Sequence, residues 1–447
     1  MRRLPREWKW VLGFFGLLLG IHWMLLVLSA RALRAERRRW IEEGRPVTLE
    51  QVIPPAVPET ENGAVLYSEA FQVLQTPSDG PDSEPLDKVI PEITRSYTAD
   101  PKSPDFQARL EQLLGRPDLQ TALDKLTEAA DRPACRFEMD YRAGPTMLMP
   151  HLTSFLKMAR LLQAKAICET RRGETNNALF TLTVILKMAE SLRSEPALIS
   201  QLVRNAVALQ ALSGLRKVMN DTVLPAEAAA AMRPWMRKLD DRSPFVRSLE
   251  AEQVVMNDWL GRHVNRPEFF EPEMGQGDLS RWKGYLAVAA YTPMRQWDQA
   301  AYARLMRRAA SAMAVPWHLG RGPDLDREVE GLPPWFILSR LLMPAVRPIR
   351  EKMECLLAET RMAGLALALN EFRRREGRYP DLLDGVAPTD EMTDPFGGEP
   401  LRYRREGEGF VLWSVGPQGD QQEPPPPFSP EDGEPPAWPG SALRRTN

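Results

Sequence analysis

Residues 149–194 read MPHLTSFLKMARLLQAKAICETRRGETNNALFTLTVILKMAESLRS, and this stretch decides the fold. Its first half places Leu152, Phe155, Leu156, Ala159, Leu162 and Ala166 on one stripe, the i, i+3, i+4, i+7 spacing of an amphipathic helix. Arg171-Arg172-Gly173-Glu174 interrupts it with the glycine expected just past a helix end, and Thr175 or Asn176 can cap the helix that follows. Two long amphipathic helices joined by so short a turn pack side by side and antiparallel.

The same spacing recurs on both sides, in DFQARLEQLLG (105–115), DLQTALDKLTEAA (118–130) and PALISQLVRNAVALQALSGLRKVM (196–219). The spacing predicts a mainly α body, a helical bundle or short helical array over 105–350. ICETRRGETNNALFTLTVIL resembles the turn of one tetratricopeptide-type hairpin, without a 34-residue repeat around it. Further upstream, ENGAVLYSEAFQVL (61–74) predicts a short helix capped by Asn62 with Val65, Leu66, Phe71 and Leu74 buried. The 41 prolines fall mainly in 46–104, 316–350 and 417–439. They mark a juxtamembrane helix and Pro-rich linker over 31–104, with an exposed loop at 77–104, and a disordered tail over 422–447. HVNRPEFFEPEMGQGD reads as a loop and PWHLGRGPDLDREVEGLPPW as an irregular surface crossing.

At the N-terminus, Trp10 to Ala30 reads WVLGFFGLLLGIHWMLLVLSA without a formal charge when His22 is neutral. At about 1.5 Å per residue it covers the roughly 30 Å of a bilayer's hydrocarbon. Arg2, Arg3, Arg6 and Lys9 precede it, Arg31, Arg34, Arg37, Arg38 and Arg39 follow it, and Trp8, Trp10, Trp23 and Trp40 are candidate interface residues. Ala30-Arg31-Ala32 has the form of a signal-peptide cleavage site, but the apolar run is long for such a peptide and arginines follow directly, which favours an uncleaved anchor. His22 has no acidic partner in the span and reads as a neutral side chain rather than a functional intramembrane group.

Composition excludes several classes of function. Fifty-eight basic and sixty acidic residues leave a net charge of −2, so no global field favours nucleic acid. Cys135, Cys168 and Cys355 form no CxxC pattern and read as core residues, a Cys135–Cys168 bridge being the alternative in an oxidising compartment. None of His22, His151, His263 and His318 stands four residues from another, so the common zinc spacings are missing, as are GxSxG, HExxH and P-loop motifs. No catalytic or cofactor residue is assigned. Arg373-Arg374-Arg375 and Arg404-Arg405, interleaved with acids, read as a solvated face.

The C-terminal part carries an ordered string of turn residues. A helix at about 351–376 ends at Gly377-Arg378-Tyr379-Pro380, where glycine stops it and proline cannot continue it. Asp394-Pro395-Phe396-Gly397-Gly398 is a turn, and LRYR and FVLWSV are two strands joined through 405–409 as a hairpin against that helix, a small α+β module. Gly377, Tyr379, Pro380, Leu382, Asp394, Pro395, Phe396, Gly397, Pro400, Tyr403, Ser414, Gly416, Pro417 and Gly419 match the order of the major pseudopilins of type II secretion, so 351–421 resembles the C-terminal part of that family. The resemblance implies a body outside the cytoplasmic membrane with Met1 to Lys9 inside. It also implies a calcium site, for which Asp394, Asp420 and the carbonyls of 416–419 are the candidates, a thin donor set for a cation wanting six to eight oxygens. Leu18 stands where the prepilin peptidase signature after Gly13-Phe14 needs a glutamate, so pilin-like polymerisation is not expected.

The order of anchor, NGAxLYxEAF segment, helical middle and pseudopilin-like end also resembles membrane-anchored proteins of planctomycete-type bacteria, a family that carries no activity to transfer. The expectation is a single-pass protein of the bacterial cytoplasmic membrane with a periplasmic body that binds protein partners without catalysis. A secretion-system component and an enzyme with an unsignalled site are the alternatives.

Overall fold

A computed structural model describes residues 6–75, 86, 88–92, 104–263, 278–320, 322–419, 421, 423–424 and 442–445. Most of the expected loop at 77–104, the loop at 264–277, Asp420 and most of the tail lie outside the described residues, as do the first five residues of the expected cytoplasmic stub.

Helix α1 runs unbroken over Arg6–Glu42, between the prolines at 5 and 46. It is long and apolar enough to cross a membrane, and no residue of its most apolar window is buried. Its last turns behave differently. Trp40 is 1% exposed, and its Nε1 donates to the Ala303 carbonyl at 3.2 Å. Trp40 is therefore a core residue of the body, a correction to its reading as an interface tryptophan, whereas Trp8, Trp10 and Trp23 are exposed.

Helix α2 (Gly63–Gln75) starts where Asn62 Oδ1 accepts from Ala64 N and, at 2.8 Å, from Arg136 N, so the predicted cap also ties two chain segments together. Its buried face is Ala64, Tyr67, Ala70, Phe71 and Leu74; Phe71 and Leu74 are buried as expected, Leu66 is partly buried against the same core, and Val65 is exposed. Tyr67 recentres the face by stacking among Phe71 and Phe155, an aromatic cluster that leucine periodicity does not reveal. The expected exposed loop at 77–104 is corrected in part: Leu86 and Ile90 are fully buried in the same core.

After α3 (Pro104–Leu114) and α4 (Pro117–Asp131) come α5 (His151–Arg171), α6 (Thr175–Ser191) and α7 (Leu198–Asp221), each of which packs against the other two. Helix α5 buries Met158, Leu161, Ala164 and Ile167 besides its predicted stripe, because α2 covers part of the side turned away from α6 and α7. Gly173 turns the chain at φ 79°, and the cap position before α6 is Glu174, not Thr175 or Asn176.

A second core forms where α9 (Ser243–His263) and α10 (Asp278–Ala314) meet α1, after the connecting helix α8 (Ala226–Leu239). Helix α10 lies parallel to α1. Ser29 Oγ bonds Gln296 Oε1 at 2.8 Å, Arg307 pairs with Glu36 and Glu43, and Arg45 bonds Ser311, so both chains advance in the same direction. The predicted irregular crossing contains α11 (Leu325–Glu330), and α12 (Ile337–Leu342) follows it.

Helix α13 (Val346–Glu376) joins the two cores, with Val346, Ile349 and Met353 in the second and Leu356, Met362, Leu365 and Leu369 in the first. It begins five residues before the expected boundary at 351, which thus falls inside one helix. Gly377, at φ 77°, ends it as the sequence predicts. Strands β1 (Arg402–Glu406) and β2 (Gly409–Trp413) pair antiparallel with Tyr403 opposite Leu412. Every residue of β2 is buried, and Tyr379 packs edge-on against Phe410 at 4.9 Å. A third strand, β3 (Ala442–Arg445), pairs with the other edge of β2, so the expected disordered tail returns to the sheet at its end.

Candidate functional site

The six-residue loop between α6 and α7 carries two charged side chains, Arg193 and Glu195. Gln201 fixes its backbone, Nε2 donating to the carbonyls of Leu192 at 3.0 Å and Glu195 at 2.7 Å. The first turn of α7 is held from outside, because Leu198 N donates to the Glu252 carboxylate of α9. Burial raises the pKa of Glu252, and that backbone bond opposes the rise.

Glu195 is buried, with Oε1 2.9 Å from His151 Nε2 at the start of α5. The imidazole stacks on Phe137 at 4.1 Å between centroids. The second carboxylate oxygen, Oε2, is buried without a hydrogen-bond partner among the described residues. Around it, burial first and the Glu195 carboxylate second raise the pKa of the Cys135 thiol and the Tyr141 phenol. These groups stay protonated at neutral pH, which makes Cys135 a poor nucleophile.

Glu195 lies on the wall of a cleft of about 340 Å³ that Arg193, Arg247, Glu250 and Gln51 also line. Its charges are largely committed. Arg193 pairs with Glu190 and Asp241 and donates to the Lys238 carbonyl, while Glu250 holds Arg45 at 2.7 Å. Arg247 stands exposed at the rim. Burial raises the Glu250 pKa and Arg45 opposes that rise. The cleft has room for a small polar ligand, to which Arg247 offers a cation, while Glu195 Oε2 is buried behind its wall. Segments as far apart in the chain as Gln51 and Glu250 build it, and its sole mark in the sequence is an acid in a short loop between apolar helices.

Of the calcium candidates, the structure describes Asp394 and the backbone of 416–419. Asp394 is buried, and its carboxylate already accepts three hydrogen bonds, from Phe396 N at 2.9 Å, Ser414 Oγ at 2.8 Å and Val415 N at 2.7 Å. Its backbone also closes the turn, through Gly398 N at 2.8 Å and the Glu399 carbonyl at 2.7 Å. Asp394 thus serves as a clasp between the 394–398 turn and the end of β2. Asp420, the other candidate, lies outside the described residues. No group of three His, Cys, Asp or Glu able to hold a metal occurs among the described residues.

The remaining histidines are spread through the molecule. His263 stacks on Trp259, His318 bonds the Pro395 carbonyl at 3.4 Å, and His22 is half-buried on α1. All three cysteines are free and buried. No protein-family model, no curated protein and no solved structure matches the chain.

Proposed function

We propose that the protein is a single-pass, membrane-anchored binding protein of the bacterial cytoplasmic membrane, with a periplasmic helical body that holds protein partners close to the lipid and performs no catalysis. The observation that carries this reading is the continuity of α1. One helix passes from an apolar segment with bare sides into the second core, where Ser29, Glu36, Trp40 and Glu43 fasten it to α10. Such a junction fixes the attitude of the body relative to its anchor. A binding role is further supported by the use made of acids, bases and thiols. His151 and Glu195 hold one another, Asp394 is saturated by donors, and the cysteines are sealed in the core.

Affinity purification of the tagged full chain from its own membrane tests the proposal. A reproducible partner at stoichiometric yield is expected; no partner together with turnover in a hydrolase screen overturns it. Alkaline phosphatase fused after Asn447 is expected to be active, and an inactive fusion places the body in the cytoplasm. The cleft beside Glu195 favours a second reading, a small-molecule site. In that case Arg247→Ala abolishes ligand-dependent thermal stabilisation while partner capture persists.

A further inference from the structure

The surface next to the anchor's exit carries apolar side chains that no described residue covers. Trp335, Ile337 and Leu341 are 52%, 52% and 76% exposed, within the segment PPWFILSRLLMP over 333–344. Their height relative to α1 follows from two contacts. Ser29, one residue before the end of the apolar run, bonds Gln296 of α10. Asp298, two residues or about 3 Å of helix rise further on, accepts from Leu338 N at 2.7 Å and from Ser339 N at 2.9 Å. The buried Asp298 carboxylate also holds the Ser339 hydroxyl at 2.6 Å, so the first turn of α12 is fixed at that level.

The headgroup layer is roughly 5–8 Å thick on each side of the hydrocarbon. The start of α12 therefore stands within that layer when the apolar run of α1 fills the hydrocarbon. Charge agrees with this placement. Arg31 and Arg34 on α1 and Arg340 on α12 are exposed around the same level, and cations at this depth meet anionic headgroups. Upstream of Gln296, α10 continues toward the same side with eleven uncharged residues, GYLAVAAYTPM over 284–294.

We propose that the segment 333–343 is a second, interfacial membrane contact, with Trp335, Ile337 and Leu341 inserted among the lipid headgroups beside the anchor. It rests on reading α1 as a membrane span. Trp335 is of the residue type that prefers this layer, and an apolar face flanked by arginine is the pattern of an interfacial helix.

The test uses the full chain in vesicles of phosphatidylcholine and phosphatidylglycerol. Leu341→Cys, Phe15→Cys and Leu382→Cys each receive an environment-sensitive nitrobenzoxadiazole label, the native cysteines being buried. Phe15 is an exposed residue of the apolar run, and Leu382 is an exposed residue of the C-terminal turn. Lipids with nitroxide near the headgroup should quench the label at 341, lipids with nitroxide deep in the chain the label at 15, and neither the label at 382. Quenching at 15 without quenching at 341 overturns the inference and leaves the anchor standing. A blue-shifted but unquenched label at 341 means that protein covers the patch, which also overturns it. Loss of quenching at both positions removes the anchor reading, and the inference with it. Trp335→Cys repeats the measurement at a second position, so a local disturbance at 341 cannot decide the result.

Discussion

Replacing Asp394 by alanine separates a hydrogen-bonded clasp from a calcium ligand. The substitution removes an acceptor shared by Phe396 N, Val415 N and Ser414 Oγ, all buried. The hydroxyl can rotate toward another acceptor, but the two amides cannot. A buried donor stripped of a charged acceptor costs about 1.5–3 kcal/mol, so the two amides together cost about 3–6 kcal/mol of local stability. That loss corresponds to roughly two to four orders of magnitude in amide exchange, up to the ceiling set by global unfolding. Hydrogen exchange followed by mass spectrometry on peptides spanning 394–415 measures it, in chelator and again with calcium added. The expected outcome is fast exchange in Asp394→Ala, unchanged protection across α5 to α7, and no response of the native chain to calcium. Ser414→Ala should lose only about 1 kcal/mol. If chelator alone deprotects the native turn as far as the substitution does, Asp394 holds a cation and the clasp account is wrong.

Trp40→Ala should cost about 3–5 kcal/mol in urea unfolding of the detergent-solubilised chain, as expected for an aromatic side chain deleted from a core; an unchanged midpoint contradicts the packing of α1 into the body. Without prior reduction, iodoacetamide at mildly alkaline pH should label no thiol in the folded chain and all three in urea, since burial raises the Cys135 and Cys355 thiols and leaves every cysteine free. Only one labelled thiol in urea would establish the Cys135–Cys168 bridge instead. Tyr403 donates to the Pro380 carbonyl at 2.7 Å, and burial, with smaller effects of Arg405, Tyr379 and Asp381, pushes its pKa from 10.0 to about 12. Its contribution is complete below pH 10 and is lost as pH rises through 12, so the stability gap between the native chain and Tyr403→Phe should close over that window. A gap constant with pH refutes the assignment.

The helices were legible because their apolar spacing is strong and their ends carry ordinary signals, as at Gly173 and Gly377. The C-terminal hairpin was legible for the same reason, with turn residues around two apolar runs and FVLW as a strand buried on both faces. Faces were less readable than elements. Tyr67 draws α2 into an aromatic cluster whose members come from distant segments, so periodicity within 61–74 selects the wrong neighbours. Trp40 misleads by position, since a tryptophan ten residues past an apolar run suits the lipid interface as well as a core. The cleft was not legible at all, because its lining comes from 44–52, 193–196 and 244–251, segments that meet only through tertiary packing, and none lies in a motif with fixed spacing. Asp394 was found by its turn context, but sequence gives no count of the donors that fill its carboxylate.

A strut that enters a building and becomes one of its columns cannot swivel, and α1 is such a strut. Because α10 grips its last turns, a twist of the apolar segment about its own axis turns the whole body by the same angle. Orientation that a freely diffusing protein surrenders only on docking has here been given up in advance. Under the proposed anchoring, a partner in the same lipid sheet would search two dimensions against a target of constant bearing, and a modest contact would suffice where solution binding would require a strong one. A glycine-serine insert between Ala30 and Glu36 would break the strut and free the compass needle from the grip on Glu36, Trp40 and Glu43, with the Ser29 bond left behind.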